Sequence, residues 1–142
     1  MANVIPNAFK GELLSGTHNF ASGGNSFKLA LYTSNPYDTS STAYSTTNEV
    51  SASGGSNYTT TGLVLQNQSV TTGATSFVDF DDLTFSSATF TAAFGAIYND
   101  SNSYKFCVVL DFGGAKTATN GDFKIVFPAT GTPANAIISL AS

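Results

Sequence analysis

Few side chains in this sequence can do chemistry. They are one histidine (His18), one cysteine (Cys107), the glutamates Glu12 and Glu49, and an acidic group of Asp79, Asp81 and Asp82. A Ser-His-Asp triad needs a histidine base, which only His18 can supply. No Gly-x-Ser-x-Gly elbow is present to hold out a nucleophile. His18, in Gly16-Thr-His-Asn, therefore reads as a surface or helix-end residue. Cys107 lies between Phe106 and Val108, where a small buried hydrophobe is expected. A glycosidase needs two paired carboxylates. Nothing in the sequence pairs Glu12 or Glu49 with an Asp, and there is no Trp to stack a sugar.

Asp79, Asp81 and Asp82 have the oxygens that Ca²⁺ or Mg²⁺ prefers, but their spacing matches no EF-hand loop. They read as a strand end turning into solvent, with Asp79 and Asp81 on one face. Asn99, Asp100 and Asn102 read as turn chemistry. No catalytic, cofactor or metal site is expected. Tyr37, Tyr44 and Tyr58 stand among Ser, Thr and Asn in the 34–62 segment. Large rings with small polar neighbours suit a binding surface. The same rings also suit pinning a long loop to a sheet, and both readings stay open here.

Composition narrows the class. The chain has 142 residues, an ordinary length for one domain, and is expected to form one domain over 1–142. Thr, Ser, Asn and Gly dominate, and Arg is absent. A lone cysteine excludes a disulfide scaffold. Five Lys against nine carboxylates, with a pI near 4.5, argue against nucleic acid. No apolar run approaches the roughly 18 residues of a membrane span. The opening Met-Ala-Asn-Val-Ile-Pro lacks the basic and apolar regions of a signal peptide, so synthesis in a cytoplasm is expected. For the same reason the sequons at Asn57, Asn67 and Asn99 are expected to carry no sugar. Twelve Phe and six Tyr speak against disorder.

The elements follow from this punctuation. Pro6 fits a first helical position. Phe9, Leu13 and Leu14 then mark about two helical turns, with Gly16 able to end them in a left-handed conformation. Residues 1–22 read as an N-terminal arm and short helix. Phe27–Thr33 alternates as a half-buried strand. Leu63–Val70, Thr75–Phe80, 83–90, Phe94–Tyr98, Tyr104–Phe112, Phe123–Phe127 and Ile137–Leu140 follow as strands, with 83–90 left as a strand or a crossover. Phe94–Tyr98 and Tyr104–Phe112 form the expected hairpin, and Tyr104–Phe112, apolar on both faces, reads as a central strand. Gly113-Gly114 reads as a strand break, and Asn120-Gly121 as the turn that ends a loop over 113–122. Pro128 and Pro133 bound a further loop. The expected fold is all-β: an antiparallel sandwich or jelly roll of about seven to nine short strands with one short N-terminal helix.

Several blocks in order resemble a small family of tailed-bacteriophage virion structural proteins. They are Ile5-Pro-Asn-Ala-Phe-Lys-Gly-Glu-Leu-Leu, Gly16-Thr-His-Asn-Phe, Phe27-Lys-Leu-Ala-Leu-Tyr-Thr and Ala43-Tyr-Ser-Thr-Thr-Asn-Glu-Val. Asp79-Phe-Asp-Asp, Ala96-Ile-Tyr-Asn-Asp, Val109-Leu-Asp-Phe-Gly-Gly, Thr119-Asn-Gly-Asp-Phe and Ala136-Ile-Ile extend the likeness over almost the whole chain. The resemblance implies a non-enzymatic virion protein. By analogy of fold it implies a capsid decoration (cement) protein on the capsid exterior, a homotrimer bound to the major capsid protein. The arm before Pro6, together with Phe9, and the C-terminal strand are then candidate contacts, beside Tyr37, Tyr44 and Tyr58. A tail or baseplate component that contacts host glycan is the alternative, and a small hydrolase the minor one.

Overall fold

A computed structural model describes residues 4–128 and 136–141. Among the described residues one helix, α1 (Asn7–Leu14), precedes seven strands. These are β1 (Phe27–Tyr32), β2 (Leu63–Val64), β3 (Ser69–Thr71), β4 (Thr75–Asp79), β5 (Leu83–Asn99), β6 (Lys105–Ile125) and β7 (Ile138–Ala141). They form two antiparallel sheets, ordered β2-β1-β5-β6 and β3-β4-β7. The fold is all-β, as the sequence predicts.

Helix α1 is short because it has little propensity of its own. Gly11 lies inside it, and no side chain caps its N-terminus. Pro6 (φ −72°, ψ 156°) is the extended residue before the helix rather than its first helical residue. Docking of the buried Phe9, with Leu13 packed beside it, supplies the stability. The helix ends as expected: Gly16 adopts φ +76°, and the Thr17 amide donates to the Glu12 carbonyl at 2.9 Å.

The first sheet is buried on both faces where β1, the end of β5 (Gly95–Asn99) and the start of β6 (Phe106–Leu110) lie side by side. On one side a large apolar cluster joins Phe9 of the helix, Leu29 and Leu31 of β1, Ile97 of β5 and Val108 of β6 to Val78 and Ile138 of the second sheet. On the other side Ala30, Tyr32, Ala96, Tyr98 and Phe106 pack under Tyr37 and Tyr44. The 34–62 segment thus serves as a second cover, without regular strands of its own. Single bridges, Tyr32 to Glu49 and Ala43 to Lys105, stitch it to the sheet.

Several expectations about strands are corrected or settled. Leu63–Val70 is not one strand: it divides into β2 and β3, which belong to different sheets, and Asn67 (φ +52°) turns the chain between them. Residues 83–99 are continuous as β5. Gly113-Gly114 does not end a strand. The pair takes φ +75° and +133° in a bulge of β6, and pairing with β5 resumes at Lys116 opposite Ala92. Asn120-Gly121 likewise sits inside β6 at a second register shift, with Asn120 at φ +46°, and closes no hairpin. Residues that allow positive φ serve turns and bulges equally well.

Tyr104–Phe112 is not central in its sheet either. β6 ends the sheet order, and its outer edge is covered by irregular chain. Val4 exchanges two backbone hydrogen bonds with Val109, and the Thr42–Tyr44 stretch bonds Phe106 and Tyr104. That covering satisfies its edge, while the two apolar clusters bury its faces. The hairpin turn at Asn99–Ser103 and the closing strand β7 are where the sequence places them. Pro133 falls outside the described residues, as do the arm residues 1–3. Among the described residues no helix is long and apolar enough to cross a membrane.

Candidate functional site

The reactive side chains converge more than their spacing suggests. His18 leaves the end of α1 and turns under the β5–β6 hairpin, its side chain fully buried. Its Nε2 lies 2.7 Å from Oε2 of Glu12, and Lys105 Nζ lies 3.0 Å from the other Glu12 oxygen. Its Nδ1 lies 3.0 Å from Nδ2 of Asn99 and 3.8 Å from Sγ of Cys107. Phe9, Phe20 and Phe27 surround the ring, with centroids 5.0, 6.2 and 6.4 Å away.

This resembles the parts of a Cys-His-Glu relay, but its electrostatics fit a structural lock. Burial, reinforced by the charge of Glu12, pushes the Cys107 thiol well above its ordinary range. A protonated thiol is a poor nucleophile, and Cys107 has no solvent-facing surface. Burial pushes the Glu12 carboxyl up. The hydrogen bonds from His18 and Lys105, with the charge of Lys105, outweigh it and hold the group below the usual carboxylate value. Of the surface or helix-end reading of His18, the surface part is corrected: the residue follows the helix end but is buried. Cys107 is buried mid-strand as expected.

Asn99 is the residue that sequence reasoning underrates. It is completely buried, and its Oδ1 accepts the backbone N–H groups of Ser101 and Asn102 at 3.1 and 3.2 Å. Its amide nitrogen reaches Asn25 Oδ1 at 3.1 Å as well as His18. The Asn102 amide also donates to the Thr17 carbonyl. The turn role was legible from the Asn and Ser cluster, but the burial comes from the helix end folding back over the turn.

The candidate interface residues turn inward. Pro6, Phe9, Tyr37 and Tyr58 are buried, and Tyr44 is half-buried. Tyr37 stacks on Phe106 at 4.1 Å, and its hydroxyl lies 2.7 Å from that of Tyr32. Tyr32 in turn donates to the Ser45 carbonyl. Tyr44 packs on Tyr98 at 4.6 Å. Glu49 accepts from Tyr44 at 2.6 Å and Tyr58 at 2.7 Å. Burial raises all four hydroxyls above their ordinary range, and Glu49 adds to that at Tyr44 and Tyr58. Of the two readings left open by the sequence, these contacts favour the second: the rings pin the segment to the sheet.

The acidic group does not converge. Asp81 accepts from Asn67 Nδ2 at 2.6 Å. Asp82 accepts the Phe127 N–H at 2.9 Å and faces Lys124 at 3.3 Å. Asp79 is in β4, opposite Ser69. Among the described residues no three His, Cys, Asp or Glu side chains gather to hold a metal.

The surface offers two notable grooves. One, of about 590 Å³, runs beside the second half of β6 with a mixed lining that includes Phe112, Phe123, Lys116 and Asp122. The other, of about 340 Å³, lies between α1 and the second sheet. Leu13, Phe20, Val70, Val78, Ile138 and Leu140 line it. Antiparallel register explains this lining. Val70 pairs with Val78 and Val78 with Ile138, while Leu140 is two residues along β7 on the same face. At its margin Val70 is 47% and Leu140 64% exposed, and Leu14, next to Leu13, is 92% exposed.

Comparison of the chain with protein-family models, with curated proteins and with solved structures finds no match.

Proposed function

We propose that this chain is a non-enzymatic virion structural protein: a head decoration protein that binds junctions between major capsid subunits on the capsid exterior. The observation that carries this reading is the apolar groove between α1 and the β3-β4-β7 sheet, with Val70 and Leu140 exposed at its margin. Exposed large apolar side chains that gather at one concave site suit a protein partner. The ordered sequence blocks that resemble those of phage virion proteins, taken with the two-sheet antiparallel fold, support the shell as that partner. A further support is that the reactive side chains are engaged inside the chain: the Cys107 thiol is buried and its His18 neighbour is committed to Glu12 and Asn99.

On this reading the groove faces the shell, and a homotrimer at a three-fold junction repeats one modest contact. The glycan-binding alternative rested on Tyr37, Tyr44 and Tyr58, whose burial removes that basis. The test is the copy number in purified virions. A number that scales with the major capsid subunits supports the reading. A few copies confined to tail fractions overturn it.

A further inference from the structure

We infer that His18 is an acid-sensitive latch: in its Nε2–H tautomer it clamps α1 and residues 15–26 to the β5–β6 hairpin, and a proton on Nδ1 opens the clamp.

The argument starts at Asn99. Its Oδ1 accepts two backbone N–H groups, from Ser101 and Asn102, so its side-chain amide cannot turn over without losing both. Its Nδ2 therefore points at His18 Nδ1 and Asn25 Oδ1, at 3.0 and 3.1 Å. Asn25 Oδ1 also accepts the Asn19 N–H at 2.8 Å. An amide nitrogen only donates, so Nδ1 must offer a lone pair. The imidazole proton then resides on Nε2 and is donated to Glu12, 2.7 Å away.

Three chain segments meet in this pattern: α1 through Glu12, the 15–26 connection through His18 and Asn25, and the hairpin through Asn99. The titratable groups that face the ring are Glu12 from α1 and Cys107 from β6, with Lys105 of β6 on the far oxygen of Glu12. Phe9, Phe20 and Phe27 supply the rest of the enclosure. A proton added at Nδ1 sets two donors face to face between the buried side chains of His18 and Asn99. Attraction to Glu12 offsets this only in part, because Lys105 already meets that carboxylate. Relief requires Asn99 or His18 to move, which unties the segments that they join. Leu13 and Phe20 belong to the freed part, so the groove wall moves with it. The latch stands on the hydrogen-bond pattern alone, whatever occupies the groove.

Nitrogen-15 NMR of the full chain near neutral pH tests the tautomer. The expected result is a protonated Nε2 and an unprotonated Nδ1, and a proton on Nδ1 would overturn the inference. Amide hydrogen exchange at about pH 7.5 and about pH 5, corrected for intrinsic rates, tests the opening. Protection at Ser15, Thr17 and Asn25 is expected to fall roughly tenfold or more relative to Leu31 and Ala96. Equal changes at both sets of amides would overturn it. In His18→Gln the pH-dependent difference is expected to vanish, and its persistence would assign the effect to another group. The wild-type measurements decide the matter even where that variant does not fold.

Discussion

The hydroxyl of Tyr58 donates to Oε1 of Glu49 at 2.7 Å, and this pair organises the irregular half of the molecule. The same carboxylate accepts the Thr61 N–H at 2.8 Å and, on its other oxygen, the Tyr44 hydroxyl at 2.6 Å. The Tyr58 hydroxyl also accepts the Leu31 N–H of β1 at 3.0 Å. One glutamate thus gathers three points of the 34–62 segment, and one tyrosine ties them to the sheet.

Tyr58→Phe keeps the ring but orphans the buried Leu31 N–H. Its expected cost is about 1–3 kcal/mol, read from urea unfolding. Exchange protection at the Leu31 amide should fall with it. An unchanged midpoint would mean that the segment is held by ring packing alone.

Glu12 carries a pH dependence. Its carboxyl is held below the ordinary value of 4.5 in the folded chain: burial raises it, and His18 and Lys105 more than compensate. A depressed carboxyl contributes stability above its unfolded value, and that contribution disappears as pH falls through the folded value. Wild-type stability should therefore drop more steeply below about pH 5 than that of Glu12→Gln. The variant should already be less stable by about 1–3 kcal/mol near neutral pH. Parallel stability profiles would remove Glu12 from the account.

Gly62 is a site of steric necessity. It adopts φ +77°, and a Cβ there would stand 1.9 Å from the Leu29 carbonyl oxygen in β1. Gly62→Ala is expected to destabilise by about 2–4 kcal/mol in denaturant unfolding, since both the conformation and the close approach are lost. A loss below about 0.5 kcal/mol would contradict so tight a crossing.

Features set by neighbours in sequence were legible from it. The Phe27–Thr33 alternation, the two-turn helix closed by Gly16 and the hairpin around Asn99–Ser103 depend on local period and turn chemistry. The long strands were not legible, because Gly113-Gly114 and Asn120-Gly121 mark a bulge and a turn with the same residues. The contact between His18 and Cys107 spans 89 positions and arises only when the helix end folds under the hairpin. Tyr37, Tyr44 and Tyr58 were ambiguous in kind: a ring among hydroxyls looks the same whether it faces a partner or its own sheet. The apolar groove was hidden too, since it joins Leu13, Val70 and Leu140 from three separate elements.

The groove gives the substitution test of function. Val70→Asp with Leu140→Asp changes exposed side chains and should leave unfolding free energy within about 0.5 kcal/mol per site. Binding to purified shells, followed by co-sedimentation, should weaken more than about tenfold. Full binding by the folded double variant would move the contact to another face.

The most direct measurement is cryo-EM of the assembled virion. The account predicts density that fits this sandwich at junctions between major capsid subunits, with the Leu13, Val70 and Leu140 groove turned toward the shell. Density for the fold confined to the tail, or a head location with that groove open to solvent, would contradict it.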